Sequence, residues 1–474
     1  GKLLFVRFSI LVASAACFCA LSSLLCIHAK VKLPSIISNN MVLQQQTKVK
    51  LWGTSGKRTH IEVSTSWNDK VYETKSTSEG KWEVVIETGR AGGPYKIVIS
   101  DGDVVELNNI LLGEVWLCSG QSNMEMPMKG FLGQPVEHSL EVIANAAAST
   151  PIRLFTVKRN PSKTTLDDCF GTWGINVPEN VANFSATAYF FGLRLQRSLN
   201  VPVGLINSSW GGSVIQSWMD SDVLKQYPEI SQNHLTDDSE VKNPHSVASM
   251  LYNGMIYPIR DYCYKGVIWY QGESNRYDAS QYESLFQSFV KDWRVKLGND
   301  KLPFYYVQIA PYNYGNSDAL GTALLRQAQY NCEKKIDNVG MVVTMDIGNE
   351  TCIHPSQKKE VGSRLAYLAL SQTYATKGIY ARSPMYSSHE IKGNRVILSF
   401  GRAPMGITSF YKPLKGFEIA GKDGVFYPAE ARITNRKLVE VWNDGVKEPE
   451  VVRYCYKNYI EGTLFGVNGM PVSS

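Results

Sequence analysis

Several features are missing from this chain, and each absence narrows what it can do. It holds no C-x-x-C pair and no H-E-x-x-H, so neither a structural zinc site nor a zincin-type catalytic metal is written in it, and no metal or other cofactor is expected. No P-loop is present, which removes a common route to nucleotide phosphates. Internal repeats and low-complexity runs are absent, so solenoid and disordered classes drop out. The formal net charge is only +6 over 474 residues, too weak and diffuse to imply a nucleic-acid partner. Long apolar runs are confined to the start, where Lys2 and Arg7 precede an apolar stretch from Phe8 to Leu25 and Ile27-His28-Ala29 offers a small residue at a cleavable position. That pattern predicts a secretory signal peptide over 1–29, too short and wrongly flanked for a membrane span, and hence a secreted or periplasmic protein. Its removal takes Lys2 and Arg7 and lowers the net charge to +4.

Nine cysteines are present, and Cys17, Cys19 and Cys26 leave with the signal. Cys118, Cys169, Cys263, Cys332, Cys352 and Cys455 are widely scattered, which argues against a disulfide-dense scaffold. A lipid anchor on Cys26 ranks second, because Leu24-Leu25 before it lacks the small residues of a lipoprotein signal. Hydrophobic content of 44% and charged content of 19% describe an ordinary globular protein, and a chain of this length exceeds what one core supports.

Periodicity divides the mature chain in three. Over 30–109, short alternating segments such as Lys81-Trp82-Glu83-Val84-Val85-Ile86 are broken by Gly53, Gly56, Gly80 and Gly92-Gly93-Pro94, which predicts a small antiparallel β-sandwich. Over 110–385 strands alternate with helices. Strands are expected at 111–118, 201–206, 265–270, 304–309 and 340–346, and helices at 182–199, 280–297, 319–333 and 357–372. Such alternation implies right-handed crossovers and a parallel sheet covered by helices on both faces. The stretch 221–249 is polar and poorly periodic and is expected to rim the site. Over 386–474 the pattern returns to short strands with Gly and Asn-Asp-Gly turns, a second small β module.

Four segments of the central region carry chemistry. Gly120-Gln121-Ser122-Asn123, Ser208-Ser209-Trp210-Gly211-Gly212-Ser213, Trp269-Tyr270-Gln271-Gly272-Glu273-Ser274-Asn275 and Asp346-Ile347-Gly348-Asn349-Glu350-Thr351-Cys352-Ile353-His354-Pro355 each follow the carboxyl end of an expected strand. A parallel sheet brings such ends to one crevice despite separations of tens of residues. Gly120 permits a tight exit that presents Ser122, a hydroxyl that becomes a nucleophile once a base takes its proton. His354 is the candidate base and then acid. The oxyanion of an ester's tetrahedral intermediate needs preorganised donors. The backbone N–H groups of Ser122 and Gly211 and a side-chain amide of the third segment are the candidates. A Ser in an ordinary turn and a loop histidine before Pro355 are the bland alternatives. Trp210 and Trp269 are expected in the core, and Arg276 and Arg326 are expected to be solvated or structural.

With these segments in this order, the chain resembles the sialate O-acetylesterase type of SGNH (GDSL-like) hydrolases. The likeness extends to Gly416-Phe417-Glu418-Ile419-Ala420-Gly421 and Val451-Val452-Arg453-Tyr454 near the end. It implies an α/β fold, a flavodoxin-like α/β/α hydrolase domain flanked by the two β modules. It also implies removal of O-acetyl groups from sugars through an acyl-enzyme, with an acetylated sugar as partner and O-acetylated sialic acid ahead of acetylated xylan or xyloglucan. It favours Gln271 as the third oxyanion donor, with Asn275 as the alternative, and leaves Glu273 to order the loop or bind substrate hydroxyls. One position departs from the family pattern. The orienting Asp expected three residues before the histidine is Thr351, so the triad acid falls to Asp346, the favoured choice, to Glu350, or to a backbone carbonyl. That departure also admits a decayed, glycan-binding protein as the rival from another class, and a lipase or thioesterase as a third.

Overall fold

The apolar run that ends in the Gly-Gln-Ser-Asn turn is the second half of one long strand, β1 (Val104–Gly120). The computed structural model describes residues 30–474, and the expected signal peptide with Cys17, Cys19 and Cys26 lies outside the described residues. The first half of β1 pairs antiparallel with Gly92–Ser100, and Val42–Gln44 runs parallel to its middle. Its second half pairs parallel on both sides with strands of the central region. The junction expected at 109–110 therefore falls inside a continuous strand that enters both regions.

The parallel strands that follow are β2 (Ile152–Thr156), β3 (Val203–Ser209), β4 (Gly266–Tyr270), β5 (Phe304–Val307) and β6 (Val339–Val342). They lie in the order β6-β5-β4-β1-β3-β2, within one sheet of 11 strands that also holds Val42–Gln44, His60–Thr65, Val71–Lys75 and Gly92–Ser100 and an antiparallel edge at Trp173–Gly174, while Lys48–Thr54 and Lys81–Glu87 pair as a separate two-stranded sheet. The fold is thus mixed α/β, with a central sheet that is partly parallel and further small antiparallel sheets. A flavodoxin-like sheet places its first strand between the second and the third. The five strands expected from the sequence lie here as β3-β1-β4-β5-β6, with the first between the second and the third, and β2 adds one more parallel strand at the β3 edge.

Side chains alternate across a strand, and the two faces of this sheet are buried against different helices. On one side Trp116, Cys118, Leu205, Ile268 and Tyr305 meet α2 (Ala186–Leu199) and α5 (Lys358–Leu368) through Tyr189, Phe190, Phe191, Val361 and Leu365. On the other, Leu117, Ile206, Val267, Trp269 and Phe304 meet α3 (Ala279–Lys296) and α4 (Gly321–Lys335) through Leu285, Phe289, Trp293 and Leu325. A short helix, α1 (Ser122–Glu125), follows β1 directly. The remaining C-terminal strands form two main sheets, one built on Arg395–Gly401 and one on Phe417–Ala420, around a core of Val396, Leu398, Ile419, Val439 and Val441. Arg326 of α4 ties this end of the chain back to the central sheet, donating to Ser474 Oγ and to the carbonyls of Cys455 and Lys457. Among the described residues no helix is long and apolar enough to cross a membrane.

Candidate active site

The four segments singled out in the sequence converge at the carboxyl ends of β1, β3, β4 and β6. Gly120 closes β1 at φ +142°, and a Cβ there would sit 2.0 Å from the Tyr270 carbonyl oxygen, so only glycine fits. The next residue staples the first segment to the third. Gln121 N–H donates to Tyr270 O at 2.9 Å, its Oε1 accepts from Gly272 N and Ser274 N, and its Nε2 donates to Ser274 Oγ. Ser122 then begins α1, where a backbone N–H has no partner inside the helix. Gly211 packs against it, and a Cβ at Gly211 would lie 3.2 Å from Ser122 Cβ.

Ser122 Oγ lies 2.9 Å from His354 Nε2. The other ring nitrogen, Nδ1, lies 2.5 Å from Gln134 Oε1. Cys352 Sγ also donates to that Gln134 oxygen, at 3.4 Å, so the oxygen is an acceptor and Nδ1 carries the hydrogen. Nε2 is then left with its lone pair toward the hydroxyl, the tautomer a general base needs. Gln134 is presented by a turn whose Phe131 and Gln134 backbones exchange hydrogen bonds at 3.0 and 2.9 Å, and the Phe131 ring stands edge-on to the imidazole, centroids 5.1 Å apart. Burial, and then the nearby Lys358 cation, push the His354 pKa down to about 4. The imidazole is therefore neutral across the ordinary working range.

The orienting role expected of Asp346 does not survive. Its carboxylate is held by Arg364 of α5 in a two-pronged ion pair at 2.8 and 2.6 Å, so the anion at the strand end anchors a helix rather than the base. Glu350 accepts from Ser317 Oγ, and Thr351 turns to Asn349. Gln134 fills the place, and nothing in the Gly-Phe-Leu-Gly-Gln stretch that carries it marks it in the sequence. Gln271 also departs from expectation. Both hydrogens of its fully buried amide are committed, to Ser213 O at 3.1 Å and Asn275 Oδ1 at 2.7 Å, and its oxygen accepts from Tyr282. It therefore has no donor left for an oxyanion. Asn275 is drawn into the same network, giving to Gln216 Oε1 and accepting from Ile215 N.

Glu273 is buried and accepts from Asn123 Nδ2 at 3.0 Å, a loop-ordering contact away from the nucleophile. Burial pushes its carboxyl pKa up, against that hydrogen bond and the Lys358 cation. Arg276 caps the Glu273 carbonyl and Arg326 is wholly structural. Trp269 is core, while Trp210 is half-buried beside Gly211, under Arg159 at 4.7 Å and stacked on His245. A cavity of about 310 Å³ has Glu125, Phe131, Lys129, Lys158 and Arg159 among its walls, and it borders the reacting pair through Phe131, which stands against the His354 ring, and Glu125, which meets Gly211. Arg159 grips Glu125, whose Oε1 also accepts from the Gly211 N–H at 3.3 Å.

Comparison with known proteins places the chain in a family. The family described as carbohydrate esterase, sialic acid-specific acetylesterase, matches residues 112–371. The sialate O-acetylesterase of Homo sapiens is 29% identical over 403 residues, covering 78% of this chain and 76% of its own. That of Mus musculus is 29% identical over 427 residues, with 78% of each chain covered. The crystal structure of a carbohydrate acetylesterase from Xanthomonas citri superposes with a TM-score of 0.85 at 32% identity, over 94% of this chain and 98% of its own. With more than half of its length inside the family's bounds, the chain belongs to the sialic acid-specific acetylesterase family of carbohydrate esterases.

Proposed function

We propose that the chain removes O-acetyl groups from an acidic sugar, O-acetylated sialic acid first, with Ser122 as nucleophile and His354 as base. The observation that carries the reading is the 2.9 Å approach of His354 Nε2 to Ser122 Oγ, with Gln134 fixing the tautomer from behind. Ser122 Oγ attacks the acetyl carbonyl as its proton passes to Nε2, and the tetrahedral intermediate collapses when Nε2 returns that proton to the departing sugar oxygen. Water then attacks the acetyl-serine by the same route and acetate leaves. The backbone N–H groups of Ser122 and Gly211 are the oxyanion donors in this reading, and Glu125 gives up its bond to Gly211 when the oxyanion forms.

Three cations, Lys129, Lys158 and Arg159, stand against the single carboxylate of Glu125 in the adjoining cavity, which supports a substrate that carries a carboxylate over a neutral plant polysaccharide. The nucleophile after β1 and the base after β6 support an SGNH-type hydrolase region over about 110–385, with 30–109 and 386–474 as buttressing β modules. The apolar stretch in 1–29 supports export to the periplasm or outside the cell. Release of acetate from O-acetylsialic acid and from acetylated xylan, measured side by side, tests the substrate. Preference for the first is expected, and equal or reversed rates would remove the acidic-sugar reading.

A further inference from the structure

Behind the reacting pair lies a buried cluster that the mechanism above does not use. We propose that Asn123 and Lys358 are positioning residues that lock the histidine loop onto the nucleophile turn, with Lys358 also setting how readily His354 takes a proton. The proposal rests on the reading that Ser122 and His354 perform the chemistry.

Asn123 directly follows the nucleophile and is fully buried. Its Nδ2 donates to the Ile353 carbonyl at 3.2 Å as well as to Glu273 Oε1 at 3.0 Å. Its Oδ1 accepts from Lys358 Nζ at 2.8 Å, and the same ammonium donates to the Pro355 carbonyl at 2.5 Å. Thr187 Oγ1 of α2 holds the Asn123 carbonyl at 3.0 Å. The carbonyls of the two residues flanking His354 are therefore gripped by side chains that also grip each other, and one of those side chains belongs to the residue next to Ser122. A shift of either loop that changes the Ser122–His354 separation also strains these bonds. Placement errors of about 1 Å can cost on the order of 100-fold in rate.

Stability alone does not account for the lysine. Lys358 is wholly buried and is the first residue of α5, where the helix dipole disfavours a cation. Sequences break such local rules chiefly at functional sites. Burial pushes the lysine pKa down to about 7, partly opposed by Glu273 and Cys352. The other groups facing the cluster are the Tyr270 ring 5.9 Å from Nζ, and Arg276 and Tyr314 on the Glu273 side. His354 itself is faced by Ser122, Gln134 and Phe131, and the charge that acts on it is that of Lys358. A cation there opposes the imidazolium, so the base stays free of its proton to lower pH.

The test is the pH profile of kcat/KM on p-nitrophenyl acetate for wild type, Lys358→Met, Asn123→Ala and Ser122→Ala, with thermal melting of each. For Lys358→Met the acid limb is expected to rise by about half a pH unit or more, toward the ordinary imidazole value, and kcat to fall with KM little changed. Asn123→Ala keeps the lysine charge, and its kcat is expected to fall by about tenfold or more with the limb in place. A loss in Lys358→Met without movement of the limb would mark a merely structural lysine and overturn the coupling. Wild-type kcat in a folded Asn123→Ala would overturn the clamp. Should Lys358→Met fail to fold, Lys358→Gln, which removes the charge and keeps a donor to Asn123, decides by NMR titration of the His354 ring beside wild type: an unmoved pKa overturns the role of the charge, and a raised one supports it. Ser122→Ala separates the two levels, because its full activity would sink the catalytic reading, whereas its inactivity beside normal Lys358 and Asn123 variants would sink the clamp alone.

Discussion

A histidine oriented by an amide works under different electrostatics from one oriented by a carboxylate. Gln134 fixes the tautomer of His354 but brings no negative charge to the imidazolium that forms during attack. With burial and Lys358 also opposing the proton, the acid limb of kcat/KM in the wild type is expected near pH 4, since activity needs the neutral ring and is lost as pH falls through its pKa. Gln134→Glu supplies the missing anion, which favours imidazolium, so its acid limb should move upward. An unmoved limb would show that Gln134 does not face the base. Asp346→Asn makes the complementary case. It should lower the melting temperature by weakening the Arg364 pair yet keep kcat/KM within about threefold, whereas a loss of about 10⁴ would return Asp346 to the triad. Ser122 and His354 were legible because each follows a strand end with recognisable neighbours. Gln134 was not, because the turn that carries it is closed locally by its own backbone bonds but is brought to the imidazole only by the tertiary fold, with no periodic or motif signal to mark it.

Among the elements, the strand ends do most to assemble the site. β1 delivers Ser122 because Gly120 lets the chain pass against Tyr270 of β4. Gly120→Ala would force a Cβ into a backbone oxygen at a positive φ, and a loss of about 2 kcal/mol or more is expected, read by denaturant unfolding. Activity should fall with it, because the same turn carries Gln121 and Ser122. Unchanged stability would mean that the turn is looser than described. The helices and most parallel strands of the central region were readable from periodicity, since their apolar faces are set by one simple burial rule. β2 went unread because Arg153 interrupts its apolar run. That arginine is buried at the edge of the N-terminal region, donating to the carbonyls of Asn40 and Asn109, a contact invisible to a local pattern. The boundary expected at 109–110 falls within a strand for a related reason. A strand shared by two regions changes partners without changing its sequence character, and β1 remains extended through the junction.

For the molecule as a whole, the family fold sets the chemistry while the walls around Ser122 set the substrate. The cation excess of the adjoining cavity predicts that O-acetylsialic acid is hydrolysed faster than its carboxyl methyl ester, with the advantage shrinking as salt rises. Equal rates at low salt would remove the charge argument and leave a general carbohydrate acetylesterase. The central claim is that Ser122 forms an acetyl-enzyme with His354 as its base, and its most direct measurement is acetate release from O-acetylsialic acid by wild type and by folded Ser122→Ala. The account predicts a loss of about 10⁴ or more in the variant. Acetate release at the wild-type rate by Ser122→Ala would contradict it.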